Sequence, residues 1–99
     1  MVVSLNEHAS QAGIDILKKG GNAIDAAVAV GFTLAVTRPE NGNIGGGGFV
    51  IGATSDGKIF TQDHREKAPY LSKKDMFLDE NNTVIPKMSI QSRASSGVP

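Results

Sequence analysis

Four consecutive glycines, Gly45 to Gly48, lie near the middle of this 99-residue chain, between a helical pattern and a pattern typical of strands. Glycine loses more backbone freedom on folding than any other residue, so such a run costs conformational entropy. A chain tends to keep it where the backbone must turn tightly or approach another group closely. Two short strand patterns then lead from the glycines to a charged motif, Asp63 to Pro69.

The glycine tract has an alternative interpretation as an anion-binding loop, because consecutive backbone N–H groups can hold a phosphate. The residues that such loops require are missing. No Lys-Ser or Lys-Thr follows the glycines, and the Gly-x-Gly-x-x-Gly spacing occurs nowhere in the chain. We therefore predict a structural loop, formed by Gly45, Gly46, Gly47 and Gly48.

The segment before the glycines predicts a short strand followed by a helix. Met1 to Ser4 is the strand candidate, and Ser4 or Asn6 is placed to cap a helix that continues through Lys19. Gly20-Gly21 ends this helix, because glycine readily adopts the left-handed conformation found after helices.

A second helix is predicted from Ala23 to about Val36, with Asn22 as its N-cap and Pro39 marking its end. This helix is apolar almost all round, so we expect it to be buried. Burial of that kind needs more protein than these 99 residues contain.

The segment after the glycines predicts a hairpin. Phe49–Thr54 and Lys58–Asp63 are the strands, and Asp56-Gly57 forms the turn between them. Further on, the patterns weaken to a helical turn around Lys73–Phe77, a turn at Asp79–Asn82 and an irregular tail.

Composition excludes several classes of function. Ten basic residues balance ten acidic ones, which argues against a nucleic-acid partner or an anionic-membrane surface. There is no cysteine, and the two histidines are too few for a typical zinc site. The most apolar run, Ala23 to Val36, falls short of the roughly 20 residues that span a bilayer. We predict no metal, no cofactor and no membrane span.

Arg65 is the strongest candidate for a binding residue. It follows the predicted second strand, and its planar guanidinium can bind a carboxylate at two points. On the residues alone, a solvated surface pair with Asp63 or Glu66 is the more favoured interpretation, and such a pair contributes little. These two carboxylates could also form an acid/base pair, although charges in this setting are more often solvated.

Five blocks together resemble the N-terminal part of the gamma-glutamyltranspeptidases, in that family's order and at its spacing. Any single block would be weak evidence, but five in register are hard to obtain by accident. They cover nearly the whole chain, so residues 1–99 are interpreted as an incomplete N-terminal segment of such a domain. The blocks are Gly20–Ala29, Gly42–Phe49, Asp63–Pro69, Asp75–Asp79 and Ser96–Pro99.

The resemblance implies an α+β fold, a four-layer αββα sandwich of the N-terminal nucleophile hydrolases, to which this chain would supply two helices and several strands. It implies that Arg65 holds the alpha-carboxylate of a gamma-glutamyl group and that Asp63 and Glu66 support it. His64 departs from the aromatic or small residue usual before that arginine. A periplasmic or extracellular location is also implied, although no signal segment is visible.

The implied reaction is cleavage of gamma-glutamyl amides such as glutathione, with transfer to amino acids, peptides or water. In that family a precursor cuts itself, and the new N-terminal threonine of the small subunit is the nucleophile. No Thr-Thr-His-like motif occurs here, so no catalytic residue is predicted in this chain. The partners implied are the gamma-glutamyl compound, the rest of the large subunit and the small subunit. Alternatives are a related acylase or a truncated, non-catalytic binding module.

Overall fold

The computed structural model describes residues 1–41 and 44–99. Gly42 and Asn43, the first two residues of the family-like block Gly42–Phe49, lie outside the described residues. The chain forms two compact units, Met1–Ile44 and Gly45–Pro99. The α+β class predicted from the sequence is confirmed. The regular elements are helices α1 (Glu7–Lys18) and α2 (Ala23–Thr37), strands β1 (Phe49–Ala53) and β2 (Ile59–Asp63), helix α3 (Met88–Gln91), and a 3-10 helix at Arg93–Ser95.

Helix α1 has the predicted N-cap and the predicted glycine end. The Asn6 side chain accepts a hydrogen bond from the backbone N–H of Ala9 at 3.2 Å. At the other end, Gly20 N–H donates to Leu17 C=O at 3.1 Å and Gly21 N–H donates to Ile16 C=O at 3.0 Å. Gly20 adopts φ +91°, a left-handed conformation that other residues rarely take, so this end is a Schellman motif.

Helix α2 begins with a reciprocal capping box. The Asn22 side chain accepts from the backbone N–H groups of Ile24 and Asp25, while the Asp25 carboxylate accepts from Asn22 N–H at 2.8 Å. The helix ends at Thr37, just before Pro39, as the sequence predicts.

Helices α1 and α2 pack against each other through small residues, with Ala9 and Gly13 buried on α1 and Ala26 buried on α2. The expected burial of α2 is not found within this unit. Four of its large apolar side chains are more than half exposed, because the unit offers only one neighbouring helix to cover them. These are Ile24, Val28, Phe32 and Val36.

The N-terminal strand prediction is wrong for this unit. Met1 to Ser4 have no regular secondary structure. A strand needs a neighbouring backbone to accept and donate its hydrogen bonds, and no strand lies in the described part of this unit, residues 1–41 and 44. Val2 instead lies beside Gly13 of α1.

Strands β1 and β2 form the predicted antiparallel hairpin. In its register Phe49 faces Asp63 and Ala53 faces Ile59, and each strand is one residue shorter than predicted. The turn is closed by Thr54 N–H donating to the Lys58 carbonyl at 2.9 Å. The hairpin is two-stranded, so each strand has one backbone edge with no partner strand among the described residues.

The rest of the second unit is held by turns and isolated backbone pairs. The predicted turn at Asp79–Asn82 is present, with Asn82 N–H donating to Asp79 C=O at 3.0 Å. The irregular tail is a wrong prediction, because it contains α3 and the 3-10 helix at Arg93–Ser95. With four and three residues, both elements are far shorter than the window of roughly 11–18 residues in which helical periodicity can be recognised.

Candidate functional site

The charged motif begins where β2 ends, directly beside the glycine tract. Asp63 is the last residue of β2 and pairs with Phe49. One residue further on, His64 N–H donates to the Gly48 carbonyl at 3.0 Å. The backbone pairing therefore continues past the strands and brings the glycine tract alongside Arg65 and Glu66.

The backbone of Arg65 is fixed by its neighbour. The Asp63 carboxylate accepts a hydrogen bond from the Arg65 backbone N–H at 3.0 Å. This bond closes a local turn of the kind that aspartate side chains commonly form. Asp63 therefore acts on the backbone that carries the guanidinium.

The Arg65 guanidinium itself is weakly engaged. Its Nε lies 3.6 Å from Glu66 Oε2, which is too long for a good hydrogen bond, and the Arg65 side chain is 63% exposed. Within residues 1–41 and 44–99, Glu66 provides the only carboxylate within 4.0 Å of this guanidinium. An exposed pair of this kind contributes little, and it leaves the terminal fork available to an external carboxylate.

Glu66 is more constrained than Arg65, with a side chain 33% exposed. Hydrogen bonding from the backbone N–H of Glu66 itself and then from that of Gly47 lowers the pKa of its carboxyl group below the ordinary 4.5. The positive charges of Arg65 and His64 lower this pKa further. The carboxylate is therefore charged at neutral pH and directed toward the glycine tract.

Gly47 shows why the tract must be glycine at this point. A Cβ atom there would lie 2.6 Å from both the backbone nitrogen and Oε2 of Glu66, and 2.7 Å from the carbonyl oxygen of His64. Atoms do not approach so closely, so the two backbones can meet only where a side chain is absent. This matches the close approach that the glycine run indicates, and the anion beside it is the chain's own carboxylate.

A third segment meets Glu66 from the end of the chain, and sequence reasoning assigned it no role. Lys67 and Val98 form a two-way backbone pair, with N–H to C=O distances of 2.9 and 2.8 Å. A Cβ atom at Gly97 would lie 2.8 Å from Glu66 Cβ. The only signal in the sequence was the family-like block Ser96–Pro99.

An open groove of about 480 Å³ lies beside the motif. Glu66, Lys67 and Gly97 are among its lining residues, and Arg65 is not. The described part of the second unit therefore presents Arg65 on an open surface and not inside a closed pocket.

Three threonine hydroxyls make local hydrogen bonds. Those of Thr33 and Thr37 donate to backbone carbonyls one helical turn earlier in α2, and Thr54 bonds Asp56 and the Lys58 carbonyl in the hairpin turn. Over the described ranges, no group of three or more potential ligand side chains is placed to hold a metal ion. None of the helices found there combines the length and apolar character of a membrane span.

A family model described as gamma-glutamyltranspeptidase matches residues 9–99. The chain belongs to the gamma-glutamyltranspeptidase family. It is 50% identical over 99 residues to the glutathione hydrolase proenzyme of Escherichia coli strain K12 and 54% identical over 89 residues to that of Bacillus subtilis strain 168. The crystal structure of Helicobacter pylori gamma-glutamyltranspeptidase superposes with a TM-score of 0.92 at 48% identity.

The chain spans only a small part of the length of these relatives. The E. coli match covers all of this chain but 17% of the relative, and the B. subtilis match covers 87% and 15%. The H. pylori superposition covers all of this chain and 28% of the other. Family membership is thus established over a segment that forms a small part of the curated relatives.

Proposed function

We propose that this chain is part of an enzyme that cleaves gamma-glutamyl amides such as glutathione, and that Arg65 binds the alpha-carboxylate of the glutamyl group. The observation that carries the proposal is the exposed guanidinium of Arg65, whose backbone is fixed by Asp63 while its terminal fork has no carboxylate partner among the described residues. Family membership supplies the substrate class. The relatives' printed names, glutathione hydrolase proenzyme, support the same class.

The role of Arg65 is to place the substrate. A guanidinium offers parallel N–H donors that match the two oxygens of a carboxylate, so it fixes both the position and the direction of the glutamyl group. Asp63 and Glu66 support it, the first through the Arg65 backbone and the second through its charge beside Nε. Neither carboxylate is needed as an acid or base.

The bond-breaking groups come from the rest of the protein in this proposal. The N-terminal threonine of a small subunit attacks the gamma-carbonyl, with its own alpha-amino group taking the hydroxyl proton as general base. The C–N bond of the resulting adduct then breaks, so that the amine leaves with that proton and the gamma-glutamyl group remains as an ester on the threonine. Water or the amine of an amino acid or peptide then takes the gamma-glutamyl group. The chain described here supplies one wall of the pocket, and the reaction needs no metal or cofactor.

The exposed apolar surfaces fit a segment of a larger sandwich. Phe49, Ile51 and Ile59 lie on one face of the hairpin and are each more than two-thirds exposed, in addition to the exposed side of α2. Exposed apolar surfaces of this kind are typical of sites that contact further protein. We propose that the remaining sheets and helices of a four-layer αββα fold cover them, in a protein located in the periplasm or outside the cell.

The test of Arg65 compares two substrates in the native protein as isolated from its source. Gamma-glutamyl-4-nitroanilide carries the alpha-carboxylate, and 4-aminobutyryl-4-nitroanilide is the same molecule without it. We expect Arg65→Ala to raise KM for the first about 100-fold, as loss of a charged hydrogen-bonded partner commonly does, and to leave the second unchanged. The KM of Arg65→Lys for the first substrate should lie between those of the parent and Arg65→Ala, because lysine keeps the charge and loses the planar fork.

Arg93→Ala, in the 3-10 helix of the same unit, is the matched control and should behave like the parent protein. Self-cleavage should continue in all variants, because Arg65 acts on the substrate. If Arg65→Ala preserves the preference for the carboxylate-bearing anilide, Arg65 does not bind that group.

Native mass spectrometry with N-terminal sequencing tests the partner. A larger assembly containing a chain that begins with threonine would support the processed enzyme. A lone species of 10.3 kDa would contradict it and favour a non-catalytic module. Cleavage of beta-lactam side chains in place of gamma-glutamyl amides would identify a related acylase.

A further inference from the structure

Glu66 is the point at which three distant segments of the second unit meet. We propose that Glu66 is a positioning residue: its carboxylate joins the glycine tract at Gly47, its stem supports the closing segment at Gly97, and through this joint it holds Arg65 in place for the substrate. The inference rests on the proposed function for its last step. The joint itself stands on geometry alone.

The first contact of the joint is with the glycine tract. A Cβ atom at Gly47 would overlap both the backbone nitrogen and the carboxylate oxygen Oε2 of Glu66, so Gly47 and Glu66 are in direct contact on that side. The adjacent bond from His64 N–H to Gly48 C=O fixes the two backbones in the same register. A negative charge beside exposed backbone N–H groups is a favourable arrangement.

The second contact is with the closing segment. A Cβ atom at Gly97 would lie 2.8 Å from Glu66 Cβ and 3.3 Å from Cγ, so the stem of Glu66 packs against the Gly97 backbone. The two backbone hydrogen bonds between Lys67 and Val98 hold that segment in place. Gly47 and Gly97 thus lie against the same side chain, and a methyl group added at either position would collide with it.

The third contact is with Arg65. The 3.6 Å separation of Arg65 Nε and Glu66 Oε2 lets the anchored carboxylate attract the guanidinium through its Nε side, leaving the terminal nitrogens free. The other charged group facing this carboxylate is His64 when protonated. Because Glu66 is held at two further points, it restricts Arg65 more than a freely rotating surface glutamate could.

A double-mutant cycle in the native protein tests whether Glu66 acts through Arg65. Glu66→Gln keeps the size of the side chain and removes its charge. We expect KM for gamma-glutamyl-4-nitroanilide to rise about tenfold with kcat within about twofold, as for residues that share one network. In the Arg65→Ala background the same change should alter KM less than about twofold. Gly97→Ala should raise KM in the same direction, because the added methyl displaces the Glu66 stem.

Glu80→Gln, an exposed glutamate in the Asp79–Asn82 turn, is the matched control and should leave both constants unchanged. The proposal is overturned if Glu66→Gln raises KM by the same factor with and without Arg65, or if it lowers kcat alone. Glu66→Asp sharpens the test, since it retains the charge on a stem one methylene shorter and should restore only part of the affinity.

A readout that needs no activity separates the joint from the proposed function. In protein labelled with ¹⁵N-glycine, the amide resonance of Gly47 should shift with the titration of Glu66, at a pH below 4.5, and Glu66→Gln should abolish this shift. A Gly47 amide that ignores the titration would overturn the joint. If that shift is present but the protein releases no glutamyl group, the joint is correct and the proposed function fails.

Discussion

The two units of this chain are held together by different kinds of contact. In Met1–Ile44, both helices are defined by bonds between residues three or four positions apart, such as Asn6 to Ala9 and Asn22 to Asp25. In Gly45–Pro99, the defining contacts join residues far apart in the chain, such as Gly47 to Glu66 and Lys67 to Val98. Only the second unit contains the candidate binding residue.

The contacts of the first unit can be specified by nearby residues in the sequence, whereas those of the second unit form only when distant segments of the backbone have come together. A cap works wherever the next few residues can form a helix, so it survives changes elsewhere. The contact of Gly47 with Glu66 exists only when both segments are already in register. Substitutions in the helical unit should therefore each lower stability by a small, local amount. Substitutions at the contacts of Glu66 should affect several segments together.

The largest effect is expected from Gly47→Val. Its β-branched side chain would collide with backbone atoms of His64 and Glu66, which have little freedom to move aside. We expect a loss of about 3 kcal/mol or more in the free energy of unfolding, at the upper end for overpacking substitutions. Urea denaturation of the native protein measures the loss, and amide exchange of the Gly45–Lys67 segment shows whether the strands separate from the motif.

Gly48→Ala is the matched control, one residue along the same tract. Its Cβ atom would lie 3.2 Å from the His64 side chain, which can move, so the loss should be clearly smaller. Equal losses for the two variants would mean that the tract needs glycine for its flexibility alone, and the close contact at Gly47 would then have no energetic role.

The next largest effect is expected from Gly20→Ala, at the end of α1. Gly20 adopts φ +91°, and an alanine held there would be strained by about 1–2 kcal/mol. A fall of the unfolding midpoint in the 99-residue chain measures it. Gly31→Ala, inside α2, provides the opposite control: no atom lies within 4 Å of its added methyl group, so it should stabilise the helix by about 0.5–1 kcal/mol.

The sequence was sufficient for the features that depend on short spacings. Both N-caps, the glycine end of α1 and the hairpin turn follow from residue types within a few positions of one another. Arg65 could be singled out because a guanidinium after a strand, in a family-like motif, suggests one chemistry. Its role and those of Asp63 and Glu66 remain predictions.

Features that depend on contacts between distant segments were missed or wrong. Met1–Ser4 was expected as a strand because its residues suit one, but strands also need a partner backbone. Gly97 carried no signal of its contact with Glu66, since nothing local requires glycine there. The same limit applies to α2, whose composition indicates burial without indicating which surface covers it.

A smaller effect is expected from Asn22→Ala, which removes one half of the capping box. The backbone N–H groups of Ile24 and Asp25 would lose their acceptor, and the loss should be about 1 kcal/mol. Thermal unfolding followed by circular dichroism measures it. Asn22→Asp should retain most of the stability, because aspartate accepts the same bonds. A variant Asn22→Ala as stable as the parent would show that the start of α2 is fixed by packing and not by its cap.

The smallest effect is expected from lowering the pH, which tests the stability of the second unit, Gly45–Pro99. Because the folded pKa of Glu66 lies below its ordinary 4.5, the stabilisation from this carboxylate is present above pH 4.5 and is lost as the pH falls through the folded value. Asp56, whose pKa is lowered mainly by the Lys58 side chain and then by Thr54, adds a second loss below 3.8. Both groups are exposed, so the decline in stability should be shallow.

Thermal midpoints between pH 7 and pH 3 should fall less in Glu66→Gln than in the parent, while Asp56→Asn removes only the lower part of the decline. If the Glu66→Gln and parent curves run parallel through pH 4, ionised Glu66 does not stabilise the second unit, and its joint with Gly47 is steric alone.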